Sequence, residues 1–147
     1  MTIHLLRPAA GCDSLYTLSQ RQKRFRAPME KGGRPTPIIS TKRKPARGDQ
    51  LLKGGSVYWI IKRAIQARQS IIGIDMIDDP NGGTRCLIYL DEELMRTEPY
   101  PQKPFQGWRY LETSNAPPDL GLYVPGDAED EEVSPEMLAA LKETGLI

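Results

Sequence analysis

Lys42, Arg43, Lys44 and Arg47, followed by Tyr58, Lys62 and Arg68 and later by Trp108 and Arg109, set cations among aromatic rings. Cations neutralise phosphates, and ring faces stack bases at about 1–3 kcal/mol each, so this mixture suits a nucleic-acid surface. The same residues also fit a plainer arrangement. Trp59 and Trp108 would then be core, and the cations a solvated face balancing acidic residues elsewhere. The sequence leaves both readings open.

Other chemistries find little material. His4 is the only histidine and sits in an apolar stretch, "TIHLLR", that reads as a strand. A zinc site would need His4, Cys12 and Cys86 to converge with no CxxC spacing, and a catalytic triad would have to use His4 without a GxSxG turn. We therefore expect no metal, no cofactor and no catalytic set. Asp78/Asp79 and Asp91/Glu92/Glu93 fall at predicted turns, where acidic residues are common. The glycine pairs 32/33, 54/55 and 82/83 do not make GxGxxG or a P-loop, although free N–H groups at Gly54-Gly55 could hold a phosphate.

Charge is strongly divided along the chain. Residues 1–72 carry fifteen lysines and arginines against three acids, a charge of +12; residues 73–147 carry five against sixteen, −11. Such a division suits a polyanion-binding face with an acidic tail, or two halves that attract each other in the fold. At 147 residues the chain fits one domain with a sizeable core. We expect a single α+β domain over 1–125, then an acidic linker and C-terminal helix over 126–147. Two isolated cysteines and the lack of a signal-like start or an apolar membrane span predict a cytoplasmic protein with no membrane partner.

The elements that must position these side chains follow from periodicity. "DSLYTLSQRQKRF" predicts a helix capped by Asp13 or Ser14, with Leu15, Leu18, Gln22 and Phe25 on one face. "APMEKGGRPTP" reads as a flexible loop, "IISTKRK" as a strand, and "PARGDQLLK" as a short helix stopped by Gly54 and Gly55. "SVYWII" is apolar on both sides and so should be a central strand, with Val57, Trp59 and Ile61 opposed to Tyr58 and Ile60. "KRAIQAR" suits either helical turns or a connection. "QSIIGIDMID" and "TRCLIYL" flank Asn81-Gly82 as a hairpin. Met95–Glu98 and "FQGWRYLE" are further strand candidates, the latter with Gln106, Trp108 and Tyr110 on one face. Ser134, Pro135 and Gly145 bracket a last helix whose apolar stripe is Met137, Leu138 and Leu141. Five or six short strands with two or three helices predict a small curled, mostly antiparallel sheet or a barrel.

The blocks "GGSVYWIIK" and "PFQGWRYL", with "RCLIYLDEELMRTEP" and "APPDL", resemble a bacterial family of about this length known as a domain of unknown function. The resemblance spans roughly residues 1–120, leaves the acidic tail outside, and implies a soluble bacterial protein with no assigned activity. The order of helix, glycine turn and strands is also similar to PUA-like modules, including the ASCH and EVE groups, which implies a curled barrel that binds RNA or modified bases. The leading expectation is a non-enzymatic module for RNA or a nucleotide, using the nine cationic and aromatic residues named first. A second is a protein-interaction or assembly subunit that meets an acidic partner. The third is a small enzyme for a nucleoside-like ligand, with Lys62 buried beside Asp75 or Glu98. Oligomeric state is open.

Overall fold

A computed structural model describes residues 2–124. The readings made for 126–147, including the acidic run Asp127 to Glu132 and the last helix, lie outside them. The described chain forms nine strands, β1 (Ile3–Pro8), β2 (Arg26–Pro28), β3 (Pro35–Thr41), β4 (Ser56–Ile61), β5 (Ala64–Asp78), β6 (Thr84–Leu90), β7 (Met95–Pro101), β8 (Arg109–Glu112) and β9 (Asp119–Leu122). Two short helices accompany them, α1 (Leu15–Gln22) and α2 (Gly48–Leu51), with a 3₁₀ turn at Thr113–Asn115. The strands order as β2-β3-β6-β5-β4-β1-β8, while β7 pairs with β5 and β9 with β7. Only β1 and β4 run parallel; every other pair is antiparallel. The architecture is α+β as expected, but the sheet does not close into a barrel among the described residues.

Every residue of β4 is buried, which is what apolar side chains on both faces require of a central strand. Val57, Trp59 and Ile61 join Ile3 and Leu5 of β1, Leu15 and Leu18 of α1 and Leu51 of α2 in the main core. Tyr58 and Ile60 join Leu6, Ile65 and Leu111 in a smaller cluster on the opposite face. α1 begins where Ser14 Oγ accepts from the Thr17 N–H at 3.1 Å, and its inner end is fixed by a buried amide pair. Gln22 and Gln69 exchange hydrogen bonds at 2.7 and 3.0 Å, and the Trp59 indole N–H donates to Gln69 Oε1 at 3.2 Å. Trp59 is thus a core residue with its polar atom satisfied.

Three local features differ from the sequence reading. Residues 27–37 are not a loop throughout, because Arg26, Ala27 and Pro28 pair with Pro37, Thr36 and Pro35 in a short hairpin. Pairing of β3 with β6 starts only at Ile38, so the prolines at 35 and 37 cost no bond on that side. "KRAIQAR" is the start of β5: Ile61 pairs with Ala64 across a two-residue turn in which Lys62 and Arg63 both have positive φ, 52° and 64°. β9, "DLGL", arises where periodicity predicts no element.

Candidate polyanion interface

Three elements deliver cations to one groove, and a fourth delivers an indole. Arg7 comes from the end of β1, Lys42 and Arg43 from the segment leaving β3, and Arg85 from the start of β6; Trp108 comes from the turn before β8. Register explains the meeting. Thr41 pairs with Cys86, which puts the exit of β3 beside Arg85, and Leu6 pairs with Arg109, which puts Trp108 beside Arg7. The resulting cavity holds about 420 Å³, and Ser40, Thr41, Gln106 and Gly107 complete its wall. No aspartate or glutamate lines it.

The ring of Trp108 is partly buried, packs against the main core and is held edge-on to Tyr110, with centroids 5.1 Å apart at 74°. Tyr110 is braced in turn. Its hydroxyl accepts from the Arg47 N–H at 3.0 Å, and the Arg47 guanidinium lies 5.4 Å from the ring centre. Arg85 donates to Ser40 Oγ at 2.7 Å and meets Asp79 at 3.4 Å, so its charge is partly answered within the fold. Arg7 is different. It is half-buried, burial holds its guanidinium below its usual pKa, and that guanidinium has no hydrogen bond or ion pair among the described residues. A desolvated, unanswered cation facing a groove favours contact with an anion.

Of the nine residues singled out by sequence, Lys42, Arg43 and Trp108 are brought together here, while Lys44 is exposed in the same exit segment. Arg47 is spent on Gln50, at 2.6 Å, and on Tyr110. Arg109 points to the opposite face, where it stacks on Phe105 at 4.2 Å. Lys62 is exposed in the β4–β5 turn. Tyr58 and Arg68 sit elsewhere, in a cavity of about 410 Å³ that also takes in His4, Thr113 and Asp119. There Arg68 grips the Asp119 carboxylate with two hydrogen bonds of 2.7 and 2.8 Å, which raises its own pKa and lowers that of Asp119. Tyr58 is 5% exposed and packs edge-on to His4 at 5.0 Å, so its ring offers no face to a base.

Arg7 and Arg85 were missed. Arg7 had a signal: it shares the side of β1 that carries Ile3 and Leu5, and a cation at a core-facing position asks for a partner. Gly54-Gly55 does not serve as a phosphate cradle, since the Gly55 N–H is bonded to Leu51 O at 2.9 Å. The cysteines are free thiols, with Cys86 buried and Cys12 partly so, and burial raises the pKa of each. No group of three or more metal-ligating side chains occurs among the described residues, and no helix there is long and apolar enough to cross a membrane.

Comparison with curated proteins and with solved structures gave no match. The family comparison did, and it runs through the acidic tail that the resemblance in sequence blocks had left outside. Matching over residues 5–147 to the family described as "Protein of unknown function (DUF1489)", the chain belongs to that family.

Proposed function

We propose that the protein is a non-enzymatic binding module for RNA, gripping phosphates with Arg7, Lys42, Arg43 and Arg85 and stacking a base on Trp108. The observation that supports this is the clustering of four cations around a partly exposed indole in a wall free of carboxylates. The free thiols suit the reducing cytoplasm, where we place the binding.

Binding of a labelled single-stranded RNA, followed by fluorescence anisotropy across a salt series, tests the reading. Affinity should fall linearly with salt on logarithmic axes, and Lys42→Ala and Arg43→Ala should each reduce that slope by roughly 0.7, the single-strand increment per phosphate contact. Trp108→Ala should weaken binding by about 1–3 kcal/mol while leaving the slope alone. Affinity indifferent to salt would remove the electrostatic basis.

A protein-interaction role is the second reading, and one observation favours it. Among the described residues β9 pairs only with β7, so its outer edge has no strand partner there, and Leu120 and Leu122 on it are about half exposed. Sedimentation of wild type against Leu122→Lys would reveal self-association through that edge.

A further inference from the structure

The groove has a neighbour that the phosphate reading does not use. A second cavity of about 260 Å³ opens between α1, β3 and the end of β1, and Arg7 and Ser40 line both. Its walls are mainly apolar, with Leu18, Ile38, Ile39 and Trp59 behind and Phe25 at 58% exposure. Together the two cavities fall in the range of roughly 300–1,000 Å³ usual for small-ligand sites. One half is ring-lined and apolar apart from Arg21, which donates to Ala10 O, the other is cationic, and the unanswered guanidinium of Arg7 joins them.

We infer that the apolar cavity receives one nucleobase while Arg7 holds the adjoining phosphate, so that the ligand is single-stranded and a base-paired duplex is excluded. This rests on the RNA reading above and narrows it. A base presents apolar π faces and a polar edge, and it is covalently tied to a phosphate, which is the polarity that the joined cavities reproduce. Ser40 offers a polar contact at the junction: its Oγ accepts from Arg85 Nε, and its hydroxyl donates to no group among the described residues. Gln22 does not compete for a base edge, because its amide is engaged with Gln69. In a duplex both faces of each base are stacked and the pairing edges are occupied, so no base is free to enter.

Three RNA probes of equal length and charge separate the possibilities: a single strand, the same backbone with abasic sites, and a duplex. The single strand should bind roughly tenfold or more tightly than the abasic probe, the worth of one well-stacked base. Phe25→Ala, a truncation at an exposed position, should shrink that ratio severalfold and leave the salt slope of every probe unchanged. Salt-dependent but equal binding of base-bearing and abasic probes would overturn the base pocket and leave the phosphate site standing. Tighter binding of duplex, or a Phe25→Ala variant with an unaltered ratio, would also overturn it. Failure of all three probes to bind would remove both proposals.

Discussion

His4 shows how one side chain can report on the fold as a whole. Its Nδ1 accepts from the Ser56 N–H at 3.0 Å, and Nε2 lies 3.2 Å from Thr113 Oγ1, so the neutral ring with its proton on Nε2 satisfies both neighbours. Burial, and then the charge of Arg68, lowers its pKa. The unfolded chain takes up a proton near the ordinary value of about 6.5, and the folded chain only at lower pH. Native stability should therefore be indifferent to this group above that value, fall as pH drops below it, and level off once the folded ring is itself charged. Denaturant titrations at pH 7.5 and 5.5 would show it, since His4→Gln should lose less stability between the two than wild type does. Equal losses would mean that other groups carry the acid response. Residue identity made this legible only in part. That His4 would be a satisfied strand residue followed from its apolar neighbours, whereas its partners, 52 and 109 positions away, depend on register.

At the scale of elements, apolar alternation carried most of the information. β4 and the β5–β6 hairpin were readable because Val57, Trp59 and Ile61, and the turn at Asn81-Gly82, state their geometry locally. The Lys62-Arg63 turn was not readable, because two side chains adopt positive φ where glycine or asparagine usually stands. β2 and β9 were hidden for another reason: strands of three and four residues rich in proline and glycine carry no period to detect. Among the cations, charge alone did not tell Lys42 and Arg43, which reach a shared groove, from Arg68 and Arg47, which are used internally; that difference is tertiary. Gly55 marks where α2 hands over to β4. A Cβ there would lie 2.4 Å from Leu51 O and 2.6 Å from Ile3 O, both backbone atoms that have no room to withdraw. Gly55→Ala should cost about 1–3 kcal/mol, the usual range for overpacking, against a smaller cost at Gly48, where a Cβ would meet nothing nearer than Ile74 Cδ1 at 3.4 Å. Thermal melts of the two variants side by side check the contrast, and similar melting points would contradict it.

Over the molecule as a whole, ion pairs among the described residues answer only part of the division of charge. Arg26 pairs with Glu92 and Arg68 with Asp119, each joining the basic first half to the acidic second, while Arg85 and Asp79 pair within the latter. All three are surface or part-exposed pairs of the kind worth about 0–1 kcal/mol. Stability should consequently change little between 0.1 and 0.5 M NaCl, over a range in which RNA affinity drops by an order of magnitude or more. Denaturant midpoints and anisotropy measured in the same buffers would set the two side by side. Parallel losses would show that the cations serve the fold rather than a ligand.

The fifteen-residue β5 spans two neighbourhoods, with its first half flanked by β4 and β7 and its second half laid along β6. Backbone hydrogens in Ile65–Arg68 lie in ladders flanked by a further strand on the other side of β5, whereas those in Met76–Asp78 are released by fraying of one hairpin tip. Deuterium uptake should accordingly form a gradient along a single strand, slowest at its start and fastest at its end. Uniform labelling from Ile65 to Asp78 would mean that the arm opens as one body with the rest of the sheet.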